Sequence, residues 1–279
     1  MASAPVRVCL VAPVPPPYGG ISHWVKMIHA YAEKSIGVTI SIINTAPRGR
    51  SIYQKKLLRR VAVGIIGYIL ISIKLANELI RRRVDLVHIT TSGRLAVFRD
   101  LGIVLLCKFF GVPVVYHIHF GRIPEIAGGG TLEWRIISLV VSFVRVVVAI
   151  DKATEEAVKI YLPNINIQLI PNCIDIQKLP SSLRGKGSAR TAIFIGWIVP
   201  TKGIEELMAA WSDLKPEGWR LKIIGPGDPQ YLRQLLKRYE STNVDFLGEL
   251  PHDEAMAMLA VSDLFILPSY SEGFPNAVL

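Results

Sequence analysis

Leu264-Phe265-Ile266-Leu267-Pro268-Ser269-Tyr270-Ser271-Glu272-Gly273-Phe274-Pro275-Asn276-Ala277-Val278-Leu279 reads as a strand, a turn and the start of a helix. Leu264–Leu267 has the apolar continuity of a buried strand, and Pro268 with Ser269 ends it. Pro275 suits a first helical position, where its missing N–H costs nothing. A strand feeding a carboxylate, a glycine and a helix N-terminus makes a binding site. Gly273 lets backbone come close to a ligand, free helix amides favour phosphate or hydroxyl oxygens, and Glu272 accepts from hydroxyl donors.

Working back from that site, short apolar runs alternate with helical periodicity over the whole chain. Strands are predicted at Val6–Val11, Val38–Ile43, Val84–Ile89, Val112–His119, Val144–Ile150 and Ile167–Ile170. Four more follow at Ala192–Ile195, Leu221–Ile224, Asn243–Leu247 and Leu264–Leu267. Helices fall between them, among them Ile21–Lys34, 61–83, Leu95–Phe110, Leu132–Phe143, Asp151–Tyr161, Ile204–Leu214 and Pro251–Val261. This alternation predicts an α/β protein with parallel, doubly wound sheets, whose ligands gather at the carboxyl ends of the strands. A stretch of Pro, Ser, Gly and basic residues at 181–190 is the linker candidate between a domain at 1–180 and a second at 191–279. Gly128-Gly129-Gly130 reads as a mobile loop.

Several residues sit where chemistry is expected. Gly19 and Gly20 stand between the first strand and its helix, placing amides where an anion could bind, although a glycine pair alone is more often a turn. His117 and His119 are two apart in a strand and so share a face. No carboxylate–histidine set accompanies them, so metal binding is disfavoured against core packing or hydrogen bonding. Lys202 precedes a helix N-terminus, a position suited to clamping a diphosphate. Gly225-Pro226-Gly227-Asp228 follows a strand, but Gln230 occupies the third glycine place of a dinucleotide fingerprint, which counts against an oxidoreductase.

At 279 residues and 51% hydrophobic composition, the chain can bury a large core. Its apolar runs are shorter than a membrane span, and no cleavable signal peptide is evident. Cys9, Cys107 and Cys173 are widely spaced and read as reduced thiols. The net charge of +10 is lopsided. Residues 48–83 carry ten Lys and Arg against Glu78 alone, a surplus of nine. Basic residues beside an apolar segment suggest an anionic membrane surface as partner, against the plainer reading of a solvated basic loop. Nucleic acid would use similar charge, but no recognition motif or aromatic interleaving supports it.

Ser271-Glu272-Gly273-Phe274-Pro275-Asn276-Ala277 resembles the start of the signature of family 4 (group 1) retaining glycosyltransferases of the GT-B fold. The family's second glutamate follows after seven intervening residues and would fall just past Leu279. The chain is therefore expected to be truncated, and inactive for that reason. Pro171-Asn172-Cys173-Ile174-Asp175 is similar to the family's hinge segment, with Cys173 in a glycine's place.

The resemblance implies two Rossmann-like domains facing across a cleft, the second incomplete. The implied reaction moves a sugar from a nucleotide-sugar to an acceptor hydroxyl, in bacterial polysaccharide or lipid-linked glycan synthesis. It further implies no divalent metal, in keeping with the lack of an Asp-x-Asp motif, and a cytoplasmic protein, peripheral at the inner membrane face. By residue, it implies His119 and Glu272 at the donor sugar. Gly19, Gly20, Lys202, Gly225, Gly248, Glu249, Gly273, Phe274, Pro275 and Asn276 would line the donor site. Trp197 stands where the family often has arginine, which keeps open an inactive nucleotide-sugar-binding homologue.

Overall fold

The computed structural model describes residues 4–16, 19–34, 37–46, 57–175, 190–239 and 243–278. They form two compact units. The first takes in Met1–Cys173 together with Glu272–Leu279, and the second Ile174–Ser271. The return of Glu272–Leu279 to the first unit has no counterpart in the sequence reading. Residues 181–189 of the expected linker lie outside the described residues.

The first unit holds six parallel strands: β1 (Val6–Ala12), β2 (Val38–Asn44), β3 (Leu86–Thr91), β4 (Val114–Ile118), β5 (Val146–Ala149) and β6 (Ile167–Leu169). Their order is β2-β1-β3-β4-β5-β6. Side chains alternate across the sheet. Leu10 and Ala12 pack under Trp24 and Val25 of α1 (Gly20–Ala32). Cys9, Val11, Val87, Ile89, Tyr116, Ile118 and Val147 belong to the main core on the other face. That core is closed by α2 (Leu57–Ile80), α3 (Ala96–Phe109), α5 (Leu132–Val141) and α6 (Lys152–Tyr161).

Helix starts follow capping chemistry. Thr131 accepts from the Trp134 amide at α5, and Asp151 accepts from the Thr154 amide at 2.8 Å at α6. Asp100 is the one fully buried carboxylate among the described residues. It is paired with the Arg99 guanidinium at 2.6 Å and accepts from the Tyr116 hydroxyl at 3.1 Å, tying α3 to β4.

The glycine run at 128–130 is the loop expected only in part, since Gly128 is helical and Gly129 and Gly130 form the turn after it. Ile123–Gly128 forms a helix, α4, with Pro124 in its first turn. Gly128 is its last residue, Gly129 caps it, and Gly130 leaves at φ +56°. The glycines therefore mark a helix end, and the segment's buried Ile123, Ile126 and Ala127 hold it on the core.

The second unit has four parallel strands in the order β10-β7-β8-β9: β7 (Arg190–Ile195), β8 (Trp219–Ile224), β9 (Val244–Gly248) and β10 (Leu264–Phe265). A 3-10 turn at Pro200–Lys202 leads into α7 (Ile204–Leu214). Further on, α8 spans Pro229–Arg238 and α9 spans His252–Ala260. Asp228 caps α8 by accepting from the amides of Gln230 and Tyr231. Ala192, Phe194, Ile204, Met208, Trp211 and Leu221 form its main core. β10 is shorter than the four residues expected, although the Ile266 amide still donates to the Ile193 carbonyl at 2.9 Å. After Pro275, where a helix is expected to begin, the described residues make a 3-10 turn at Asn276–Val278.

The three cysteines differ in access. Cys9 and Cys107 are buried, and burial raises their thiols to about 11 and about 12, while Cys173 is exposed.

Candidate functional site

In the first sheet the winding reverses between β1 and β3, the position at which open parallel sheets bind ligands. The β3–β4 register sets His88 beside Val115, two residues before His117. His88, His117 and His119 therefore share the face covered by Trp24. The indole lies 5.7 Å from the His88 ring and 5.0 Å from each of the other two. His117 and His119 stack at 3.9 Å, and His88 Nε2 lies 3.3 Å from His117 Nδ1.

Burial lowers the basicity of all three imidazoles. His88 falls to about 4 and His119 to about 3, with His88 adding to the effect on His119, and His117 falls further still. The group is neutral near pH 7. The Nε2 atoms of His117 and His119 are buried without a hydrogen-bond partner, each costing about 1–3 kcal/mol. Such nitrogens suit the oxygen of a ligand or of water. Among the described residues no set of three or more His, Cys, Asp or Glu is placed to hold a metal ion.

Two further pieces lie at this carboxyl edge. Gly19 precedes α1 in extended backbone, and its carbonyl accepts from the His23 amide and the Ser22 hydroxyl, each at 3.0 Å. Gly20 is the first residue of that helix. The second piece is the returning segment. The loop after β4 is held by Arg122, whose guanidinium pairs with Glu133 of α5 at 3.0 Å. Within it, a Cβ on Gly121 would collide with the Glu272 carbonyl, and a Cβ on Gly273 would come within 3.0 Å of the Gly121 amide and of Ile150. The Asn172 side-chain amide donates to the Phe274 carbonyl at 3.2 Å. Glu272 and Gly273 are thereby seated against Gly121, two residues after His119, and Phe274 on Asn172, followed by Pro275 and the turn containing Asn276.

Gly121 has no role in the sequence reading, and the structure gives it one. Gly121→Val is expected to unseat Glu272–Phe274 and to cost about 1–3 kcal/mol through overpacking. Hydrogen exchange at these amides, together with urea denaturation, checks it. Unchanged protection of the segment would mean that the contact is dispensable.

The second unit gathers its own group. Gly203 has φ +68° and starts α7, and a Cβ there would strike the Pro268 carbonyl. The Tyr270 amide donates to the Thr201 carbonyl at 3.2 Å, and the Tyr270 hydroxyl donates to Glu206. These contacts bind the residues after β10 to the turn that carries Lys202. At the ends of β7, β8 and β9, Gly196, Gly225 and Gly248 meet backbone to backbone. The Gly225 amide donates to the Gly248 carbonyl at 2.8 Å, and Gly225 itself lies on the Gly196 carbonyl at φ +145°. Glu249 follows on the exposed turn.

Gly19, Gly20, His119, Glu272, Gly273, Phe274 and Pro275 thus belong to one unit. Lys202, Gly225, Gly248 and Glu249 belong to the other. Trp24, His88, Gly121, Gly196 and Gly203 join these groups without having been singled out from the sequence. Glycines after strand ends were the available signal for Gly121 and Gly196, and a glycine ahead of a helix for Gly203.

Two parallel α/β units of this kind, the second smaller, define the GT-B class. Residues 18–178 match the family described as Glycosyltransferase Family 4, and residues 175–279 match Glycosyl transferases group 1. The chain belongs to glycosyltransferase family 4. It is 26% identical over 183 residues to a glycogen synthase of Mycobacterium tuberculosis, covering 61% of this chain and 44% of that protein. It therefore spans less than half the length of that curated relative. Anabaena HepE, solved in complex with UDP and glucose, superposes with a TM-score of 0.67 at 17% identity, covering 96% of this chain and 76% of that one. Trehalose-6-phosphate synthase from E. coli, bound with UDP-2-fluoro glucose, superposes at 0.66 with 13% identity, covering 96% and 79%. These two likenesses concern the fold.

Proposed function

We propose that the protein transfers a sugar from a nucleotide-sugar donor to an acceptor hydroxyl, with retention at the anomeric carbon. The acceptor is a growing polysaccharide or a lipid-linked glycan met at the inner face of the cytoplasmic membrane. The observation that supports this reading is the seating of Glu272–Phe274 on Gly121, two residues after His119, whose buried Nε2 has no partner. UDP is the first nucleotide to test, because the solved relatives bind it.

In this reading Glu272 accepts hydrogen bonds from donor-sugar hydroxyls, and His119 meets one more through Nε2. The barrier is departure of the diphosphate from an oxocarbenium-like centre, so the enzyme's main task is to stabilise charge building on phosphate oxygens. Lys202 and the amides at the start of α1 supply that stabilisation, together with the backbone around Gly273. The acceptor attacks on the face the diphosphate leaves, without a protein nucleophile and without a divalent metal. Gly225, Gly248 and Glu249 line the nucleotide end, where strand-end glycines let backbone approach it.

Calorimetric titration with UDP and UDP-glucose, beside NAD as a control, tests the reading. Saturable binding of the uridine ligands alone is expected. Lys202→Ala should weaken donor binding by about 1.5–3 kcal/mol, the range for a hydrogen bond to a charged group. Unchanged affinity removes Lys202 from the site. Binding with no sugar released or transferred would favour a non-catalytic homologue, a reading that Trp197 in the arginine's place supports.

A further inference from the structure

We propose that the outward face of α2, extended by α3, is a docking surface for an anionic lipid bilayer. The inference deepens the membrane-acceptor reading above by naming the surface, and it stands on observations remote from the sugar site.

α2 divides lengthwise into two apolar faces. Ile71, Leu75 and Leu79 recur every four residues and are buried in the main core. The opposite face carries Ile65, Ile66, Ile69, Leu70, Ile73 and Ile80, exposed at 53, 58, 48, 54, 60 and 65%. A surface helix ordinarily turns polar side chains outward, so large aliphatic residues along roughly 22 Å of helix mark a contact face. The face does not stop at α2. Phe98, Leu105 and Phe109 of α3 are exposed at 52, 45 and 83%, on the same stripe as Gly102. Tyr68 of α2, in register with the core-facing Leu75 and Leu79, covers Gly102, so α3 packs directly beside α2.

Charge identifies the occupant. Lys74 stands within the stripe, and Arg81, Arg82 and Arg83 follow the last turn of α2, all four exposed and none in a salt bridge among the described residues. Arg82 has φ +49°, so the chain turns sharply there and the three arginines are held at the helix end. Glu78 is the only acidic residue of α2. A second copy of the chain would bring this positive charge against itself. Anionic headgroups would complement it, with the aliphatic stripe entering the acyl boundary and the long basic side chains reaching the phosphates. The helix lies on the bilayer and does not cross it, since no helix among the described residues is long and apolar enough to span.

Flotation of the full chain with phosphatidylcholine vesicles, with and without phosphatidylglycerol, tests the proposal, because it reads binding without turnover. Binding to the anionic vesicles alone is expected. The triple variant Arg81→Gln, Arg82→Gln, Arg83→Gln should weaken it about 100-fold, from about 1 kcal/mol per basic residue near such a surface. Ile66→Glu with Ile69→Glu and Ile73→Glu should abolish it while leaving far-ultraviolet circular dichroism and UDP binding unchanged. Equal binding to both vesicle types, or undiminished binding by the glutamate variant, overturns the proposal. So does self-association in sedimentation velocity that the glutamate variant removes while neither vesicle binds. Loss of sugar transfer with vesicle binding retained would instead count against the enzymatic reading alone.

Discussion

Gly225→Ala is expected to destabilise the second unit by about 4 kcal/mol. About 1–3 kcal/mol comes from holding a side chain at φ +145°, a region that glycine alone visits readily. A further 1–3 kcal/mol comes from overlap of the new Cβ with the Gly196 carbonyl. Neither β7 nor β8 can give way cheaply, because the Gly196 amide is held by the Ile224 carbonyl and the Gly225 amide by the Gly248 carbonyl. Gly248→Ala is the control. Its φ of +72° is also left-handed, but the added Cβ meets open space, so the cost should be only about 1–2 kcal/mol. Urea denaturation of both variants gives the comparison. Equal losses would show that backbone conformation governs the site and that the close approach does not.

The second large effect is acid instability of the first unit. In the unfolded chain His88, His117 and His119 titrate near 6.5. In the fold, burial holds His88 at about 4 and His119 at about 3, with His117 lower. Above pH 6.5 both states are neutral and stability is flat. Below it the unfolded chain takes up protons that the native state refuses, so stability falls as pH drops. The loss is about 1.4 kcal/mol per pH unit for each imidazole, and it continues until the native rings protonate. Going from pH 7.5 to 5.5 should therefore remove about 4 kcal/mol, a large share of a typical domain's stability. Asp85, lowered to about 2 chiefly by the Arg7 guanidinium, weakens only in stronger acid and stays out of this window. Denaturant midpoints measured from pH 7.5 to 5.5 check the slope, and His88→Phe should flatten it by about a third. A midpoint that does not move over this range would show that the imidazoles remain open to water.

How much of this could be read in advance depended on how far apart the partners lie in the chain. The alternation of strands and helices is local, and it appears at nearly the expected positions. The same is true of His117 and His119, whose spacing in one strand puts them on one face. His88 is 29 residues from His117, and only the β3–β4 register joins them. Trp24 reads equally well as core, and it is core, with imidazoles as part of what it packs on. Gly121 and Glu272 are further apart still, so their contact has no sequence signature beyond a glycine that needs a neighbour. One departure was local. Gly128-Gly129-Gly130 suggested a loop because glycine is poor inside helices, whereas Gly128 still ends one, Gly129 caps it and only the turn at Gly129–Gly130 is loop.

Cys173, the last residue of the first unit before the chain enters the second, is the exposed thiol, while Cys9 and Cys107 are sealed in apolar surroundings with their protons held tightly. A maleimide fluorophore or nitroxide spin label should consequently attach at one position without any engineering. It would place a single reporter at the last residue of the first unit, clear of both sealed thiols.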